Sequence, residues 1–74
     1  MIPEYSEVRI VRISGNAADR VISSSYAPPF VPQVGETATV VDARVDGRII
    51  VEFGEPDGCA RWVAWFREDE VEPA

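Results

Sequence analysis

The chain contains no histidine, no lysine and no leucine, and its sulfur is confined to Met1 and Cys59. Each gap removes a class of chemistry. Without imidazole there is no Ser–His or Cys–His nucleophilic pair. A structural zinc site needs four soft ligands, and one thiol among scattered carboxylates does not provide them, so no metal and no other cofactor is expected. A lone cysteine forms no intrachain disulfide, which excludes a disulfide-stapled secreted scaffold and makes the cytoplasm the expected location. No apolar run approaches ~18 residues, and the first residues, MIPEYSEVRIVRI, carry acids where a secretory signal needs positive charge, so no membrane segment is expected. Leucine is the usual filler of helix faces. Its absence leaves an apolar set dominated by Val and Ile, β-branched side chains that lose rotamer freedom on a helix and pack well on a pleated surface. The expected class is all-β.

The missing lysine shapes the charge. All seven basic residues are arginine, against 13 acids, for a net charge of −6. Long-range attraction to nucleic-acid backbones or anionic lipid is disfavoured. Arg9, Arg12, Arg44, Arg48 and Arg61 fall in or beside strand candidates with aromatics nearby, the one feature that favours nucleic acid. Pairing with the surplus carboxylates of neighbouring strands is the simpler use for them. Arginine-only usage beside abundant Ala, Val, Pro and Gly fits a GC-rich coding bias.

What is present is enough for one small domain over residues 1–74, its core running from about 5 to 73. Glu7 to Ile13 is a strand candidate whose alternation slips after Ile10, the sign of a bulge or of burial on both sides. Residues 14–36 form a long connection with three prolines and two glycines. Loops of that length are uncommon unless they fold on themselves or bind something. Within it, Ala17 to Ile22 is open between a short helical turn and a strand extension. Thr37 to Val45 and Arg48 to Phe53 read as a hairpin around Asp46-Gly47. Ile49, Val51 and Phe53 share one face. A second turn, Gly54 to Gly58, leads to Ala60–Phe66, where alternation sets Ala60, Trp62, Ala64 and Phe66 against Arg61, Val63 and Trp65. Trp62 is expected in the core, beneath small neighbours, and Trp65 on the outer face. Arg67 to Glu70 reads as one 3₁₀ turn, a solvated acidic corner, before a short last strand at Val71–Glu72 and a frayed end.

That order of elements resembles a small bacterial SH3-like barrel: five short strands, partly open, with a long first loop and one 3₁₀ turn before the last strand. Val34-Gly35-Glu36-Thr37-Ala38-Thr39-Val40 is similar to the Gly-x-x-Gly-x-Val start of the second strand in such families, with Ala38 where glycine is usual. Phe66-Arg67-Glu68-Asp69-Glu70-Val71 is similar to the ending of the ferredoxin-thioredoxin reductase variable chain, and related endings occur in the beta-subunit barrel of nitrile hydratase. The resemblance implies a non-catalytic protein-interaction domain, a small accessory protein or subunit docking on a larger protein. It leaves two alternatives, an accessory subunit of a redox enzyme and a nucleic-acid-binding small barrel.

No enzyme is expected, since the carboxylates sit in turns and none forms an evident acid–base pair. Arg61, two residues after Cys59, could lower that thiol's pKa. A partly buried bystander is the simpler account of Cys59. In SH3-type recognition an aromatic groove edged by acids takes a polyproline II ligand with an arginine anchor. On that reading Tyr26, Phe30 and Trp65 line the partner-binding groove, and Glu55, Asp57, Glu68 and Asp69 edge it. The competing reading is that Tyr26 and Phe30 merely pin the loop to the barrel. Pro28 to Pro32, a Pro-x-x-Pro segment, is either a ligand itself or a stiffener of the loop.

Overall fold

Alternating β-branched residues become strands wherever one face can be buried, and here they do so in a single sheet. The computed structural model describes residues 2–43 and 46–74. Within them run β1 (Glu7–Ile10), β2 (Val21–Ser23), β3 (Thr37–Ala43), β4 (Arg48–Gly54), β5 (Ala60–Arg67) and β6 (Val71–Pro73). All pairings are antiparallel, in the order β2-β5-β4-β3-β1-β6. Two 3₁₀ turns, Ala17–Arg20 and Glu68–Glu70, stand before β2 and β6, and no α-helix occurs among the described residues.

The sheet therefore has six strands where five were expected. The added one is β2, and the undecided stretch of the long connection turns out to hold both of its options in succession. Asn16 starts the turn, its side-chain oxygen accepting from the Ala18 N–H at 3.0 Å. β1 is shorter than expected and ends at Ile10. The slip in its alternation has a local cause: Val11 and Arg12 both donate to the Glu70 carbonyl, at 2.9 and 3.2 Å, so two residues face one. At the far end Ala74 donates to the Glu7 carbonyl at 3.1 Å, so the close is paired and not frayed. Arg44 and Val45, expected in the first hairpin arm, lie outside the described residues.

Inside the sheet sit Val8, Ile10, Ala38, Val40, Ile49, Val51, Trp62, Ala64, Phe66 and Val71, all buried. Trp62 is fully enclosed between Phe53 and Phe66, with ring centroids 5.7 and 6.2 Å away. The alanines on its own face of β5 leave the room that the indole takes. Pro32 is also fully buried, so the proline loop inserts one ring into the body of the protein.

The two edges of this open sheet meet through side chains. Arg20 closes the first 3₁₀ turn beside β2 and Glu70 closes the second beside β6, and they are only 4% and 1% exposed. Arg20 Nη1 donates to Glu70 Oε1 at 2.7 Å and Nη2 to Oε2 at 2.9 Å, a parallel fork. The Arg67 N–H completes Oε1 at 3.0 Å and the Ser14 N–H completes Oε2 at 2.7 Å. Arg20 also donates to the Ser14 and Trp65 carbonyls, at 2.8 and 3.4 Å. The guanidinium and these N–H donors outweigh the cost of burial and hold the Glu70 carboxyl down to about 2. The expected solvated corner thus holds one of the most buried groups in the chain.

The β6 edge offers a further strand no free N–H from Val71 or Pro73. Val11 to Glu70 and Ala74 to Glu7 mark the positions bonded across to β1, so Val71 and Pro73 face away from it. The Val71 N–H is already given to the Glu68 carbonyl, and Pro73 has none.

Candidate functional site

The β4–β5 hairpin carries the chemistry at its two ends. Its turn, Gly54 to Cys59, is closed by the Glu55 N–H donating to Cys59 (2.7 Å) and the Gly58 N–H to Glu55 (3.0 Å), with Gly58 at φ +91°, where only glycine sits without strain. Against this turn lies the tip of the long connection. The Ser24 hydroxyl donates to the Arg61 carbonyl at 2.5 Å and Ser25 N–H to Ala60 at 2.9 Å, which extends β2 along β5 and delivers Tyr26 and Phe30 to the hairpin end.

Tyr26 and Phe30 meet edge to face, centroids 4.8 Å apart, and are 36% and 45% exposed. The Arg61 guanidinium lies 4.9 Å from the Phe30 ring and 5.2 Å from that of Phe53, and pairs with Glu55. Partial burial, then the carboxylates of Glu55 and Asp57, raise the Tyr26 hydroxyl pKa, so it stays a neutral donor. Of the seven exposed large apolar side chains among the described residues, five (Ile22, Tyr26, Phe30, Val31 and Val34) belong to the long connection.

Cys59 lies on this rim, and it is exposed where partial burial was expected. Asp57 first, then burial, push its thiol pKa up. The nearby Arg61 does not activate it, because that guanidinium is turned to Glu55 and the phenyl rings. A neutral thiol beside a carboxylate is a poor nucleophile at neutral pH.

The other end of the hairpin collects the remaining candidates. Trp65 is half-buried on the outer face, as expected, with the Arg20 guanidinium 4.2 Å and the Arg48 guanidinium 4.7 Å from its ring. Glu68 and Asp69 line an open groove of about 420 Å³ with Asp46, Gly47, Arg48 and Arg67. Asp69 pairs with Arg12 at 3.0 Å.

The seven expected binding residues therefore form two groups. Tyr26, Phe30, Glu55 and Asp57 come together at one end of β4–β5. Glu68 and Asp69 lie at the other, about 20 Å away for a seven-residue strand, with Trp65 two residues short of that end, opposite Ile50. The four acids are not brought together among the described residues: Glu55 and Asp57 stand at one end of the hairpin and Glu68 and Asp69 at the other. Trp65 carries the Arg20 and Arg48 guanidinia beside its ring.

Two contributors escaped sequence reasoning. Arg61, expected as a strand charge or a neighbour of the Cys59 thiol, instead joins the loop to the hairpin. Arg20 was not singled out at all. A signal for its partner existed: Glu70 stands three residues after Arg67, the spacing at which a carboxylate reaches back to a turn's first N–H.

Among the described residues no group of three or more acids or cysteines is placed to hold a metal ion, and no helix is long and apolar enough to cross a membrane. Comparison with protein-family models, with curated proteins and with solved structures finds no match.

Proposed function

We propose that the protein is a non-catalytic interaction domain on an SH3-like scaffold, docking a protein partner at the Tyr26–Phe30 face. The scaffold reading is supported by β1, β3, β4, β5 and β6, which follow the expected order along the chain and pair as one run, with β2 added at one edge. The observation that carries the functional reading is the concentration of exposed apolar side chains on one connection, held in place by a fixed arginine. Singly exposed apolar residues are ordinary, whereas two exposed rings in contact and rimmed by charge mark a contact surface.

The geometry modifies the kind of ligand. Glu55 is committed to Arg61, so it does not receive an arginine from a partner. Asp57 remains at the rim, its side chain accepting from the Cys59 N–H at 2.9 Å. A matching segment is extended and mainly apolar, with one basic residue for Asp57. Both earlier readings of the loop are compatible here, since Pro32 pins it while Tyr26 and Phe30 face out. The nucleic-acid alternative loses support because Arg9, Arg12, Arg20 and Arg61 each have a carboxylate in close contact.

The test is a pull-down with mass spectrometry followed by binding of the recovered partner to Tyr26→Ser/Phe30→Ser. Affinity is expected to fall at least about 100-fold, as for loss of two aromatic anchors, with the melting temperature little changed. Unaltered binding by the double variant would remove this face from consideration.

A further inference from the structure

In a chain so rich in acid, every arginine has a carboxylate available to it. Four of the six described arginines take one at close range: Arg9 with Glu72, Arg12 with Asp69, Arg20 with Glu70, and Arg61 with Glu55. The other two stand directly opposite each other across β4 and β5, Arg48 facing Arg67. The Arg48 guanidinium comes no nearer to a carboxylate than 3.9 Å, at Asp46, whose other oxygen accepts from the Arg48 backbone N–H at 3.1 Å, and Arg67 has no ion pair among the described residues. Like charges directly opposite on one face of a sheet repel, with Cβ atoms only about 5 Å apart.

The backbone places both residues, and the Arg48 side chain is held as well. Arg48, Trp65 and Arg67 share the outer face, and the Arg48 guanidinium rests on the Trp65 ring at 4.7 Å. The register is pinned beside them by the Asp46-Gly47 turn, where Gly47 adopts φ +85°, and by the Glu68 N–H donating to the Gly47 carbonyl at 3.3 Å. The open groove of about 420 Å³ runs between that turn and the second 3₁₀ turn, with Arg48 and Arg67 both among its lining residues.

We infer that this groove binds a carboxylate carried by a peptide, held between the Arg48 and Arg67 guanidinia. A planar, singly charged carboxylate matches the guanidinium fork. The remaining wall decides against phosphate: Asp46, Glu68 and Asp69 line the same groove and oppose a doubly charged group more strongly than a single charge. Those acids also accept N–H groups, which a peptide places beside its carboxylate. This site lies at the opposite end of the hairpin from Tyr26 and Phe30 and does not depend on the docking reading there.

Nuclear magnetic resonance of the Arg Nε–H and Trp indole groups tests it at low ionic strength. The probes are acetyl-Gly-Gly with a free C-terminus, its C-terminal amide, acetyl-Asp-amide and inorganic phosphate. Saturable shifts of Arg48, Arg67 and Trp65 are expected with the C-terminal carboxylate, the aspartyl carboxylate or both, which identifies the source, and none with the Gly-Gly amide. Arg67→Gln is expected to weaken binding by about tenfold or more, and Glu68→Gln to strengthen it by removing a competing charge. A response to the amide equal to that of the acid overturns the inference. So does saturation by phosphate at lower concentration than by either peptide, silence from every probe, or affinity unmoved by Arg67→Gln.

Discussion

Glu70→Ala is expected to cost about 3–5 kcal/mol in urea unfolding, because it leaves the Arg20 guanidinium charged and enclosed with no anion to answer it. A domain of this length is held by roughly 4–11 kcal/mol in total, so the variant sits at the edge of folding. Replacing both partners by apolar residues, Arg20→Met with Glu70→Leu, is expected to recover most of the loss, since the larger part of it is the stranded charge. The pH profile provides a second reading. The folded-state pKa of Glu70 is held down to about 2, below its ordinary 4.5. Its contribution is therefore fully present above about pH 4.5 and is lost as the pH falls toward 2, a span corresponding to about 3 kcal/mol. Glu70→Gln should flatten stability across that acid window. A loss below about 1 kcal/mol for Glu70→Ala would mean that water replaces the carboxylate without difficulty.

Trp62→Ala is the second large effect, expected at about 3–5 kcal/mol, because the indole is wholly enclosed and its removal opens a cavity between Phe53 and Phe66. Trp62→Phe should behave differently. The Trp62 Nε1–H is buried without an acceptor among the described residues, a defect that ordinarily costs about 1–3 kcal/mol. Phenylalanine removes that donor while retaining much of the ring, so its net cost is expected to stay below about 2 kcal/mol. Parallel urea titrations of the two variants check the pair. Equal losses would show that the indole N–H is satisfied in solution.

The parts of the fold that could be read in advance are those governed by a two-residue period. Ile49, Val51, Trp62, Ala64 and Phe66 are buried because strict alternation leaves them one side only, and Trp65 faces outward for the same reason. The Asp46-Gly47 and Gly54–Gly58 turns announce themselves because few residues accept a positive φ. The long connection has no period to read. β2 is three residues long and exists because Ser24 and Ser25 bond to β5, a partnership between residues more than thirty positions apart. The Arg20–Glu70 pair was hidden for a related reason: it joins two separate 3₁₀ turns, and nothing around Arg20 distinguishes it from a surface arginine. The candidate site suffered most, since a list of aromatics and acids carries no distances. Pairing Phe53 with Trp62 and counting back along both strands would have set Arg48 against Arg67 and the acids of the two turns at opposite ends.

The clasp between Arg20 and Glu70 also bears on the order of events when the chain folds. The hairpins β3–β4 and β4–β5 close short spans and can zip early, whereas the clasp joins positions fifty apart and needs both edges already in place. An interaction between positions so far apart is expected to form after the rate-limiting barrier and so to affect unfolding more than folding. Removing the clasp is therefore expected to speed unfolding more than it slows refolding.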